Sequence, residues 1–238
     1  MKRITVLFFL FVTLVFSLYA QKTYVLLTGV NNYGTGENNL NFPVKDAKEL
    51  KQIFDRRGAT VAMLTSKYVT KENINKKLDA IIKLAKPEDK IIFFFSGHGT
   101  PGAFCCYKFD LYKYSDLAEK LSKARTSKVF CFIDACHSGS ARFATNEQTG
   151  LGAVKPVFCI ACRPQEYSFE KFLIDNGVFT QALTKGLRGK ADYNNNRSIT
   201  LFELFKYIHS DVIQKTQDKQ HPQLIGSQNL YDTVLIKW

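Results

Sequence analysis

The sequence predicts an α/β protein, a three-layer α/β/α sandwich on a mostly parallel central sheet of about six strands. Three observations carry that prediction. Apolar, β-rich runs alternate with segments of helical period along residues 21–238. The runs Lys90–Ser96 (KIIFFFS) and Lys128–Asp134 (KVFCFID) are too apolar to leave one face in water. Polar, Gly-containing stretches at Asn31–Asn41, Gly97–Phe104 and Ser138–Lys155 follow the C-terminal ends of predicted central strands. That is the edge at which open α/β sheets carry ligands and chemistry.

Each element has its own signal. Thr23–Val30 (TYVLLTGV) reads as a buried strand. Pro43–Arg57 is helical, with Val44, Ala47, Leu50 and Phe54 on one face and Gly58 as the stop. Thr60–Thr65 is a second strand. Thr70 caps a helix whose stripe is Ile74, Leu78, Ile81 and Ala85, ending near Pro87. After the Lys90–Ser96 strand, Ser115 opens a short helix through Leu117 and Leu121. Lys128–Asp134 and Val157–Ala161 are further buried strands. Gly177–Leu187 and Thr200–Ile213 complete the helices, and Thr233–Ile236 is the last strand. No internal repeat, linker or domain break interrupts this series.

The chain has 238 residues, 45% hydrophobic and 23% charged, which suits one medium domain able to hold a core without disulfide scaffolding. Gly 14 and Pro 6 exclude collagen-like and low-complexity classes. Residues 1–20 have the layout of a secretory signal: Met1-Lys2-Arg3, an apolar run from Ile4 to Tyr19, and Ala20 before the polar Gln21. Export and cleavage after Ala20 are therefore expected, leaving residues 21–238 as the working domain. The 16-residue apolar run is short for a membrane span, and no second run of spanning length follows. The formal charge of +12 becomes +10 without Lys2 and Arg3, from 31 basic against 21 acidic residues. The excess is spread over Lys45, Lys48, Lys51, Lys76, Lys77, Lys120 and Lys123, as on solvated helix faces, and no nucleic-acid motif accompanies it. Of six cysteines, Cys131 and Cys159 sit in apolar runs and read as small buried hydrophobes. Cys105-Cys106 are adjacent, and Cys159-Ile-Ala-Cys162 has redox-motif spacing but is followed by Arg163-Pro164, which does not open a helix.

Two strand ends carry reactive groups. One apolar block ends in Ser96-Gly97-His98-Gly99, another in Asp134-Ala135-Cys136-His137-Ser138-Gly139. If those strands are neighbours, His98 and Cys136 emerge side by side above the sheet. A thiol needs a base or a cation to become the reactive thiolate, and an imidazole within hydrogen-bond reach supplies both. Glycines 97 and 99 permit a sharp turn, and the N–H groups of Gly99 and Cys136 are candidate oxyanion donors. His137 is the rival base, but adjacent residues leaving a strand point opposite ways.

An apolar block ending in HG, paired with another ending in D-x-C, resembles the catalytic core of caspase-like cysteine peptidases (clan CD, peptidase C14). The resemblance runs through YVLLTGVNNY, LNFPVKDA, FFFSGHG, FIDACHSG and ACRPQEYSFE to the final helix. Asp134-Ala-Cys136-His137-Ser138-Gly139 in place of Q-A-C-[RQG]-G is similar to the metacaspase and paracaspase branch. That branch implies a caspase-like fold and cleavage after Arg or Lys in protein or peptide substrates, through acidic pocket residues. The acids at matching places are Asp46, Asp134 and Glu166, a set suited to a guanidinium. The resemblance also implies that a backbone carbonyl orients the histidine; no cofactor is expected to be required, although metacaspases often need calcium. Caspases dimerise through an edge strand, whereas metacaspases and paracaspases vary. The long polar loop Ser140–Lys155, with Arg142, lies where caspases are processed.

Asp192, Asn194, Asn196 and Glu203 have the spacing of a calcium loop, but Arg197 stands where such loops use glycine. Thr200-Leu-Phe-Glu203 is equally a capping box. Besides the endopeptidase, the sequence admits a catalytically silent binding or regulatory module on the same fold, and a thiol–disulfide protein using Cys159 and Cys162.

Overall fold

The computed structural model describes residues 20–36, 38–135, 156–162 and 177–238. Its strands are β1 (Thr23–Gly29), β2 (Thr60–Thr65), β3 (Lys90–Ser96), β4 (Gly99–Thr100), β5 (Ala103–Cys105), β6 (Leu111–Lys113), β7 (Val129–Asp134), β8 (Val157–Ile160), β9 (Ser198–Thr200), β10 (Gln223–Ile225) and β11 (Val234–Lys237). The helices are α1 (Pro43–Asp55), α2 (Lys71–Leu84), α3 (Tyr114–Ser122), α4 (Val178–Lys185) and α5 (Leu201–Thr216).

Six strands form the central sheet in the order β10-β8-β7-β3-β1-β2. Every pairing is parallel except β10 with β8. The expected fold class and strand number hold, with one exchange of membership. The sixth strand is Gln223–Ile225, while the last strand pairs instead with β9 in a separate two-stranded sheet. Gln-Leu-Ile is a short run after Pro222, with no alternation to mark it. The stretch Gly97–Phe104, expected as a loop, forms β4 and most of β5 in a three-stranded antiparallel sheet with β6.

Alternation along each strand divides the core into two layers. Ile91, Phe93 and Phe95 face α2 and α3, meeting Ile74, Leu78, Leu117 and Leu121. Ile92 and Phe94 face α1, α4 and α5, meeting Ala47, Leu50, Phe179 and Leu204. All of β3 and β7 is buried, as the apolar runs required. By the same period of two, Ser96 and Asp134 continue the second face, directly above Phe94 and Phe132. Among the described residues, Cys105, Cys106, Cys131, Cys159 and Cys162 are buried. No helix among the described residues is long and apolar enough to cross a membrane.

Candidate active site

The pairing of β3 with β7 sets the geometry at the strand ends. Ser96 is opposite Asp134, and Gly97 N–H continues the ladder to the Asp134 carbonyl at 3.1 Å. Both strands therefore stop at the same height, on adjacent tracks. Cys136, His137, Arg142 and Glu166 lie outside the described residues.

His98 leaves β3 two residues beyond Ser96 and is half-buried. Its ring Nε2 is 2.8 Å from the carbonyl oxygen of Asn38, and its backbone N–H donates to the Tyr33 hydroxyl at 2.7 Å. The Tyr33 ring lies 5.0 Å from the imidazole and stacks on Phe109 at 4.4 Å. Both Tyr33 and Asn38 come from the loop after β1, so that loop holds the imidazole from two sides. Gly97 is required by close approach: a Cβ there would sit 2.7 Å from the Tyr33 hydroxyl and 2.8 Å from Phe95. A bond from Cys105 N–H to the His98 carbonyl brackets the Gly99–Phe104 pair. Gly99 thus takes a non-hydrogen-bonded position of that ladder, and its own N–H faces away from β5.

The two described acids lie on the α1/α4 face. Asp46, in the first turn of α1, is 1% exposed and accepts the Ser96 hydroxyl at 2.9 Å. The helix start that carries it is itself fixed to the end of β1. Asn31 Oδ1 accepts the Val44 N–H at 2.7 Å, and Asn31 Nδ2 donates to the Asn41 carbonyl at 3.0 Å. Asp134 is 7% exposed, and one of its oxygens accepts both the backbone N–H and the hydroxyl of Thr180, at 3.1 and 2.7 Å. Thr180 is the third residue of α4, so Asp134 caps that helix from another strand. Gly177 leaves room for the carboxylate, since a Cβ there would lie 2.6 Å from Asp134 Oδ2. The structure thus brings Asp46 and Asp134 together around Ser96, next to the turn that bears His98.

Asn31, Tyr33, Asn38 and Thr180 act on these groups yet carried no individual signal in the sequence. The polar loop Asn31–Asn41 was legible as a chemical edge, but nothing in it distinguishes the residues that reach the histidine. Thr180 reads as an ordinary helix residue.

The calcium-loop spacing folds into a loop closed on itself. Asp192 accepts the Asn196 and Arg197 N–H groups at 3.1 and 3.0 Å, and Asn196 Oδ1 accepts that of Ser198 at 2.8 Å. Asn194 Nδ2 donates to one oxygen of Glu203 at 2.8 Å, while the other takes Thr200 N–H and hydroxyl, each at 2.9 Å. A calcium loop needs its last glutamate bidentate on the ion and high ligand charge. Here Glu203 completes the capping box of α5, and only Asp192 and Glu203 are charged, so the residues do not fit a resident calcium.

Comparison with known proteins agrees with this architecture. The caspase-domain model of the peptidase C14 family matches residues 22–232. The chain belongs to that family. A stretch of 84 residues, 31% of this chain, is 34% identical to Metacaspase-1 of Meyerozyma guilliermondii, and spans only 20% of that protein. The fold is similar to that of protein GSU0716 from Geobacter sulfurreducens, with a TM-score of 0.67, 18% identity, and coverage of 89% of this chain and 97% of the other.

Proposed function

We propose that this chain is an endopeptidase with Cys136 as nucleophile and His98 as acid–base partner, cleaving after Arg or Lys. The observation that carries the reading is register. Ser96 and Asp134 are paired across adjacent parallel strands, and the imidazole and the thiol each belong to the residue two positions further on. The Cys136 thiolate attacks the scissile carbonyl, and the N–H groups of Gly99 and Cys136 receive the developing oxyanion. His98 protonates the leaving amine, then takes a proton from the water that releases the acyl-enzyme. The contact between Nε2 and the Asn38 carbonyl supports this role, because it fixes the ring and favours a proton on Nε2, leaving Nδ1 for the thiol.

Specificity follows from charge. Asp46 and Asp134 concentrate negative charge on one buried face, which suits a guanidinium or ammonium at the cleavage position, and Glu166 completes the acidic set. No step uses a metal or cofactor. Residues 1–20 direct export in this reading and are removed.

The test is turnover of fluorogenic peptides ending in Arg, Lys or Asp. Cleavage of the basic peptides, abolished in Cys136→Ala and in His98→Ala with circular dichroism unchanged, is the expected result. Folded wild-type protein that turns over no basic peptide would sink the proposal. In that case the silent binding module on the same fold becomes the better account.

A further inference from the structure

The opposite edge of the sheet, where β1 and β3 begin, holds a second concentration of charge. A cavity of about 420 Å³ opens there between the strand starts, the end of α1 and β11. Arg57, Lys90, Lys128 and Lys237 line it, together with the hydroxyl residues Thr23 and Thr233, and none of its described lining residues is acidic. Lys90 is the unusual member. It is the first residue of β3, only 7% of its surface is exposed, and its ammonium donates to the Val234 and Leu235 carbonyls at 2.8 and 3.1 Å.

Three N–H donors are available on a lysine ammonium, and those carbonyls take two. The Lys128 ammonium donates to the Glu88 carbonyl at 3.3 Å. Among the described residues none of Lys90, Lys128 and Lys237 forms an ion pair, although the protein makes several elsewhere. Burial together with repulsion from Lys128 and Lys237 lowers the Lys90 pKa to about 8. A buried cation held beside two others, without a carboxylate, is normally avoided unless something anionic compensates it.

We propose that this cavity binds a compact oxyanion carrying at least two negative charges, of phosphate or polycarboxylate type. The volume lies in the range of small-molecule sites. Lysine ammonium groups suit such a ligand as point charges, and Arg57 and the threonine hydroxyls supply directional donors. Because Lys90 also holds the backbone of β11, an anion seated there fastens the C-terminal strand to the central sheet. The site lies at the strand starts, remote from His98, and does not depend on the peptidase reading.

Calorimetric titration with inorganic pyrophosphate and, separately, with citrate tests the proposal, at constant ionic strength and with chloride as the background ion. Saturable binding of at least one probe at one site per chain is expected, with a raised melting temperature. Binding of pyrophosphate alone assigns a phosphate ligand, and binding of citrate alone a carboxylate one. Lys128→Gln and Lys237→Gln, whose side chains are not fully buried, should each weaken binding about tenfold and remain folded. Lys76→Gln with Lys77→Gln on α2 makes a larger charge change elsewhere and should leave affinity unaltered. Absence of saturable binding by both probes, or equal weakening by the α2 control, would overturn the assignment.

Discussion

Thr180 donates both its backbone N–H and its hydroxyl to the same oxygen of Asp134, tying the end of β7 to the first turn of α4. Hydrogen bonds to a buried carboxylate are worth roughly 1.5–3 kcal/mol. Thr180→Val removes only the hydroxyl bond and should lower stability by about 1–2 kcal/mol in urea denaturation. Asp134→Ala should lower it further, because an interior N–H loses its acceptor. The double variant should be less destabilised than the sum of the two, and strict additivity would show that the pair is not coupled.

Tyr33 and Gly97 are matched in the same way. Tyr33→Phe leaves the His98 N–H without its acceptor and should cost about 1 kcal/mol, with turnover falling through kcat more than KM. Gly97→Ala drives a methyl into the Tyr33 hydroxyl and should be severely destabilising. Adding Tyr33→Phe to Gly97→Ala should recover part of the loss, the contact with Phe95 remaining. Melting temperatures of the three variants decide the matter.

Much of this architecture was readable from pattern alone. The β3 and β7 runs announce themselves because both faces are buried, and the stripes of α1 and α2 because one face is. The site was legible where chemistry shows in residue type: His98 after Gly97, and Asp134 and Asp46 at element ends. It was not legible where function lies in a backbone group or a remote contact. The Asn38 carbonyl has no side-chain signature, and Thr180 meets Asp134 only because a crossover brings α4 over β7. β10 has no signal of its own in the sequence, because three residues are too few for a period.

Lys90 should impose a distinctive pH dependence on stability. Its folded pKa of about 8 lies below the ordinary 10.5, because burial and neighbouring ammonium groups disfavour the charged form. Between those values the unfolded chain holds a proton that the folded chain has released, so the Lys90 contribution to stability rises with pH across that window. Below pH 8 the penalty for the buried charge is fully present. Relative to Lys90→Met, the wild type should therefore gain on the order of 3 kcal/mol between pH 8 and 10.5, at about 1.4 kcal/mol per pH unit. Urea melts of both proteins across that range measure it, and parallel curves would contradict the assignment.

Arg197 adopts a left-handed conformation with φ of +60°, at the position where loops of this shape use glycine. Arg197→Gly should relieve that strain and raise stability by about 1 kcal/mol. Thr200→Ala, which breaks the capping box of α5, should lower it by about 1 kcal/mol. Thermal denaturation of each variant is sufficient.

Burial raises the thiol pKa of Cys131 and Cys159 well above the usual range, and that of Cys106 to about 12. These three thiols should resist iodoacetamide at pH 7.5 while Cys136 is modified, as read by peptide mass spectrometry of the folded protein. Labelling of Cys106 at a comparable rate would show that the β5 layer opens to solvent.

The antiparallel strand that flanks β8 has a consequence for how the protein is made. Among the described residues, β8 takes its outer neighbour from Gln223–Ile225, which follows α5 in sequence. A ribosome that has released everything through α4 has therefore delivered a sheet with one raw hydrophobic margin, open to any other extended polypeptide nearby. Synthesis must pass α5 before that margin is sealed, so a chain that stops shortly after α5 is a sticky fragment rather than a smaller working protein.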